Sequence, residues 1–311
     1  MQIIFDEAGT NILNFTTFTP SIVYPMLKWI LYVSLCLIWG SSFILMKEGL
    51  EAINPYHLAL LRILSAGMIM IPLSFQAYKK VPRKMILPIV LSGFLGTFIP
   101  SFCFTLAQTK VDSSLAGIMN SLTPIFSVAI GVLFFQLRIG WVKWIGLLLG
   151  FAGMVTLVLG DNKAVQLDHI GYSLFIILAT ICYGLNVNVV TRFVKDAAPL
   201  HVAAIAFTSL VIPAIVLLGI TGFFSAPELY NGIWSKGIFT ASVLGIINTG
   251  LASVLFYLLV KRAGPVFAST VTYGIPFVAI GWGLAFNEQI SLFQIAAMAC
   301  ILIGVRLANK D

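Results

Sequence analysis

Stretches of about twenty almost wholly apolar residues recur along this chain, at 27–46, 56–77, 85–107, 113–135, 141–160, 169–191, 199–222, 236–260, 266–286 and 291–307. A helix rising ~1.5 Å per residue needs a window of that length to cross a ~30 Å hydrocarbon layer. Of 311 residues, 59% are hydrophobic and only 9% charged, and the mean hydropathy is +1.02. A soluble domain carries roughly a quarter charged residues. The windows are too long and too Gly-rich for the alternation of a membrane barrel, and backbone in lipid must satisfy its hydrogen bonds internally. The expected fold is an all-α integral membrane protein with ten transmembrane helices and no room in the connections for a soluble domain.

Charge placement orients these helices. Laid alternately across a bilayer, the chain puts Lys28, Lys79, Lys80, Arg83, Lys84, Arg138, Lys143, Arg192, Lys195, Lys261, Arg262, Arg306 and Lys310 on one side. Lys47, Lys110, Lys163 and Lys236 fall on the other, and Arg62 alone lies within a span, which accounts for all eighteen basic residues. The positive-inside rule then makes both termini cytoplasmic. The net charge of +7 sits at helix ends, so it marks a lipid bilayer as partner and not nucleic acid. Residues 1–26 lack a long apolar core and read as a loose tail, not a signal peptide; Met26 with Lys28 and the first span also offers a start that would make this tail an overlong gene product. Cys36, Cys103, Cys182 and Cys300 all fall inside spans without CxxC spacing, so neither a disulfide framework, a metal site nor a cofactor is expected.

The chain also repeats itself. A shift of 144 residues pairs Trp39-Gly40 with Tyr183-Gly184 and Pro55-x-His57 with Pro199-x-His201. A shift of 152 pairs Gly93 with Gly245, Thr97 with Thr249, Ser101 with Ser253, Phe104 with Phe256, Ala116 with Ala268, Pro124 with Pro276 and Gly131 with Gly283; at 151, Gly153 meets Gly304. Each copy, 27–160 and 161–311, holds five spans. An odd number sends the second copy into the membrane from the opposite side, giving two inverted five-helix repeats, a recurrent plan of secondary transporters.

The phrases LIWGSSFILMK, PYHLALLRILSAG, TLAQTKVDSSLAGIMNSLTPIFSVAIGVLFF and KWIGLLLGFAGMVTLV resemble, in order and spacing, the signatures of the EamA family of the drug/metabolite transporter superfamily, in its bacterial ten-helix form. The resemblance runs from about Leu27 to Leu307. It implies ten helices in two inverted repeats, the bacterial inner membrane, and export or exchange of small metabolites by alternating access. The family pattern has a Glu before its fifth and tenth helices. Here the second copy has Glu288 in FNEQIS and the first has Leu137 in FFQLRIG.

Candidate substrate contacts come from polar and aromatic residues in symmetric pairs. Trp39 and Ser42 share a helix face, as do their mates Tyr183 and Asn186. Thr97 and Ser101 match Thr249 and Ser253, and Asn120 matches Thr272, with Tyr273 beside it. Each such residue also suits plain helix-to-helix packing. Pro124 and Pro276 each free a carbonyl one turn earlier, which makes either a hinge or a static kink. Arg62, whose mate is Ala206, must face the interior or reach an interface, either binding a substrate carboxylate or pinning carbonyls. Gly146-xxx-Gly150 with Gly153 suits tight contact inside the bundle, or with a second copy in a homodimer.

With no GxSxG, no HExxH and no carboxylate well inside a span, an enzyme is not expected. A secondary transporter for a small amphipathic metabolite, such as an amino acid, is the expectation, with a channel as the alternative. Glu288 is the single candidate for coupling to protons, since no other acid lies within the family motif.

Overall fold

The structure is a computed structural model and describes residues 20–159, 167–230, 232 and 234–308. Most of the expected tail and the connection at 160–166, with Lys163 and Lys310, lie outside these residues. Among those described, the chain is helical from end to end: α1 (Pro20–Leu50), α2 (Pro55–Lys80), α3 (Arg83–Ala107), α4 (Ser113–Phe135), α5 (Trp141–Leu159), α6 (Leu167–Phe193), α7 (Pro199–Ile220), α8 (Ser235–Ala263, continuing to Ser269), α9 (Val271–Ala285) and α10 (Leu292–Ala308). Seven helices are long and apolar enough to cross a membrane, namely α1 to α4 and α6 to α8, while α5, α9 and α10 are apolar but shorter. Large apolar side chains such as Leu133, Phe134, Leu148, Ile212 and Ile220 stand exposed on the outside, a surface suited to lipid and not to water.

Local chemistry sets the helix ends. Pro55 and Pro199 sit in the first turns of α2 and α7, where a missing N–H costs nothing. Asn54 caps α2, its Oδ1 accepting from the His57 N–H at 2.9 Å. The other ring face of this end is tied down by His57 itself, which is buried and packs edge-on against Phe223 and Trp234. The expected gap between the eighth and ninth spans, at 261–265, is helical; the break comes later, at Thr270.

Contacts fix the directions. α1 runs parallel to α9, because Gly40 meets Val278 and Lys47 meets Glu288. α4 runs antiparallel to α9, with Gly117 on Ala279 and Ser114 on Gly283, and parallel to α6, with Phe126 on Gly184 and Gly131 beside Asn188. It follows that α1 and α6 run in opposite directions.

The same contacts recur at matched positions. Gly40 abuts Val278, and its mate Gly184 abuts Phe126, which is the mate of Val278. Gly245 lies against the Arg62 carbonyl as Gly93 lies against that of Ala206. Trp39 packs on Phe256 with ring centroids 5.5 Å apart, and Tyr183 on Phe104 at 6.2 Å. Between α5 and α10, Gly304 touches Gly146 and Gly150, while Gly153 touches Ala297 and Ile301. That glycine stripe is therefore occupied within the chain.

Candidate functional site

The centre of the site is built where two helices loosen. α3 widens into a π-helical turn at Phe94–Phe98 and α8 does so over Leu244–Leu251, at positions related by the 152-residue shift. A π turn misaligns the i to i−4 ladder, releases carbonyls and re-aims side chains, and such turns gather at functional sites. Here the wide turn of α8 presents the Asn248 carbonyl to Trp39, whose Nε1–H donates to it at 2.9 Å. Asn248 returns a bond from Nδ2 to the Ile38 carbonyl. Thr249 Oγ1 donates five residues back, to Leu244 at 3.0 Å. α1 is thereby stapled to α8 at mid-length.

Beside this staple lies a cavity of about 300 Å³, the low end of the range of small-molecule sites. Its lining is paired. Trp39, Ser42 and Phe43 of α1 face their mates Tyr183, Asn186 and Val187 of α6, and Gly96, Thr97 and Ser101 of α3 face Asn248, Thr249 and Ser253 of α8. Asn120 and Thr123 of α4 answer Thr272 and Ile275 of α9. Met46, Phe104 and Phe207 complete the apolar wall. Each candidate named from the sequence lines this cavity except Tyr273. One residue along a helix is about 100° round the axis, so with Thr272 facing inward Tyr273 turns away. Asn248 was not readable in advance, since its mate is Gly96 and a search for paired polar residues passes over it.

Polarity inside the cavity is one-sided. Arg62 is the lone charged residue of the lining, and its Nε–H donates to Thr249 Oγ1 at 3.2 Å. No carboxylate lines the cavity. The Oδ1 atoms of Asn186 and Asn248 and the Oγ1 of Thr123 are buried acceptors without a hydrogen-bond partner among the described residues. Among the same residues no group of His, Cys, Asp and Glu is placed to hold a metal ion.

The two prolines differ in setting. α4 is interrupted after Asn120, with the Ser121 and Leu122 N–H groups bonding three residues back, and resumes at Thr123 with Pro124 in its first turn. α9 passes through Pro276 unbroken. A hinge at Pro124 thus has a visible joint, and one at Pro276 does not.

Glu288 lies at the end of the bundle where α1 finishes, away from the cavity lining. Its backbone N–H bonds Gly283 at 2.8 Å, just as that of its mate Leu137 bonds Gly131 at 2.9 Å. Asn287 and Gln136, the residues before them, both take a left-handed backbone, with φ of 60° and 56°. The turns match but the side chains part ways. Glu288 Oε1 accepts from Lys47 Nζ (2.8 Å), Ser113 N (2.9 Å) and Ser113 Oγ (2.8 Å), while Oε2 accepts from Ser114 N (2.9 Å). It caps the N-terminus of α4, where helix dipole and free N–H groups favour an anion. Burial pushes its carboxyl up, but the Lys47 and serine hydrogen bonds outweigh this and hold it down at about 2. Leu137 packs instead against Gly131.

The model of the EamA-like transporter family matches this chain twice, over residues 27–159 and 170–310. The chain belongs to the EamA-like transporter family. Its relatives include the uncharacterised inner membrane transporter YedA of Escherichia coli K12, 24% identical over 89% of this chain and 88% of its own. YdfC of Bacillus subtilis, an uncharacterised transporter, is 25% identical over 85% and 78%. A relative in Chlamydia muridarum, 25% identical over 93% of each chain, carries the name S-adenosylmethionine/S-adenosylhomocysteine transporter. A solved crystal structure of an 18% identical protein superposes with a TM-score of 0.60 over 91% of this chain and 98% of that one, which extends the likeness to the fold. A multi-pass membrane protein of a transporter family is thus established.

Proposed function

We propose that this protein is a secondary transporter that exports or exchanges a small amphipathic metabolite by alternating access. In this reading all ten helices cross the bacterial inner membrane as two inverted five-helix repeats, 27–160 and 161–311, with both termini cytoplasmic. The observation that carries it is the paired lining of the cavity. Matched positions of antiparallel mates converge on one chamber, so exchanging the conformations of the two halves would open the same chamber to the other side. Opposed directions of α1 and α6, and contacts that recur at matched positions, support the inversion.

Trp39, Tyr183, Phe104 and Phe43 supply flat apolar surface, and Ser42, Thr97, Ser101, Asn120, Asn186, Asn248, Thr249, Ser253 and Thr272 supply hydrogen bonds. That mixture suits a solute with a polar end and an apolar body. The chlamydial relative, named as a transporter of S-adenosylmethionine and S-adenosylhomocysteine, supports a small metabolite as the solute. We read Glu288 as an anchor and not a proton switch, because a carboxyl held at about 2 stays ionised across the working range, and the reading is therefore exchange or facilitated movement without proton coupling.

Counterflow in proteoliposomes tests it, with candidates drawn from metabolites enriched in the medium of overexpressing cells. Saturable uptake accelerated by unlabelled solute on the far side is the expected result. Linear uptake without acceleration would mean a channel. Uphill uptake driven by an imposed pH gradient would overturn the uncoupled reading, and its loss in Glu288→Gln would make Glu288 the coupling group.

A further inference from the structure

The cavity departs from its own symmetry at one charge. Arg62 and its mate Ala206 make the same backbone crossing, each carbonyl seated against a glycine, Gly245 or Gly93. The guanidinium is therefore not what the crossing of α2 and α8 requires. The Arg62 side chain donates through Nε to Thr249, a neutral hydroxyl. No acid lines the chamber to neutralise it. A cation in a low-dielectric interior is costly unless an anion with matching hydrogen bonds joins it. Asn186 and Asn248 hold the complementary feature, buried amide oxygens without donors among the described residues.

From this geometry we infer that the Arg62 guanidinium is the anion subsite of the transport cavity and takes the carboxylate of the substrate. The inference rests on the transport reading for the word substrate, but not for the site itself. Two terminal N–H groups in a fixed plane match the two oxygens of a carboxylate. The amide oxygens of Asn186 and Asn248 accept from a donor elsewhere on the same molecule, such as an ammonium, so the solute is a carboxylate that is anionic or zwitterionic and not a simple cation. Arg62 breaks the symmetry of the chamber because the solute is itself polar at one end.

The test uses purified full-length protein in nanodiscs and a panel of small carboxylates, each matched by its primary amide, with binding read by thermal shift and by Trp fluorescence, since Trp39 lines the cavity. Carboxylates should bind at least ~10-fold more tightly than their amides, the usual loss when a charged hydrogen-bond partner is removed. Arg62→Gln should erase that preference, each carboxylate falling to the affinity of its own amide. Arg62→Lys, which keeps the charge and loses the fork, should fall between. Should Arg62→Gln fail to fold, the carboxylate-to-amide ratio of the wild type still decides. Equal binding of the two members of a pair, no binding by any carboxylate, or stabilisation by chloride alone would each overturn the proposal. A carboxylate that binds through Arg62 but never crosses a liposome membrane would leave the subsite standing and remove the transport reading. A carried solute indifferent to Arg62→Gln would do the reverse.

Discussion

Trp39 shows how one side chain serves two ends at once: its ring faces the cavity while its Nε1–H joins α1 to the loosened turn of α8. Trp39→Ala, Tyr183→Ala and Asn186→Ala should each lower transport at least ~10-fold with membrane abundance near wild type, as immunoblotting of membranes would show; abundance falling in step with activity would instead assign them to packing. Glu288 predicts the opposite pattern. Its folded-state carboxyl lies at about 2 against an ordinary 4.5, so its contribution is fully present above pH 4.5 and is lost as pH falls towards 2. Each unit is worth about 1.4 kcal/mol, giving on the order of 3–4 kcal/mol. In detergent, Glu288→Gln should melt several degrees lower at neutral pH and show a shallower acid limb between pH 4.5 and 2; melting unchanged from wild type would refute the anchor. At this scale the sequence disclosed polar residues wherever both mates were polar, which found Thr97 with Thr249 and missed Asn248 opposite Gly96. It could not disclose that Tyr273 points away, because a helix phase depends on where the preceding turn ends.

At the scale of elements, glycines decide how closely the helices approach. A Cβ on Gly304 would lie 2.6 Å from the Gly150 nitrogen and 2.7 Å from the Gly146 oxygen, whereas one on Gly281 would meet nothing within 4 Å. Gly304→Val should therefore destabilise the detergent-solubilised protein by about 1–3 kcal/mol, the range for overpacking a tight contact, and Gly281→Val should leave the melting temperature unchanged; equal effects would show that helix propensity and not spacing is responsible. Hydropathy located the helices because the free energy of moving apolar residues out of water is additive along a window. It did not locate the π turns at Phe94–Phe98 and Leu244–Leu251, or the late break at Thr270, because these depend on which carbonyls find partners on neighbouring helices.

For the whole molecule, the distribution of Lys and Arg predicts the orientation. A cysteine placed at Lys84, in an otherwise cysteine-free chain, should react with an impermeant maleimide only after the cells are opened, and one at Thr109 should react in intact cells; both positions are exposed. Reversed labelling would turn the protein over in the membrane. At this scale the all-helical membrane class was legible, since backbone in lipid must satisfy its own hydrogen bonds, and paired contacts such as Gly40 on Val278 and Gly184 on Phe126 follow the matched positions.

In the alternating-access reading proposed above, the matched turns at Leu137 and Glu288 give the two mouths of the molecule unequal closing energies. Parting the Glu288 mouth strips an ionised carboxylate of four donors, while parting the other draws a leucine away from a glycine. If the halves exchange conformations as proposed, the idle carrier waits mainly with the Glu288 mouth shut, and a difference of about 1.4 kcal/mol already makes that posture ~10 times the commoner. Equal solute on both sides still gives no net flux. The bias appears instead in kinetics, as half-saturation concentrations that differ for entry and exit by a factor that Glu288→Gln should shrink.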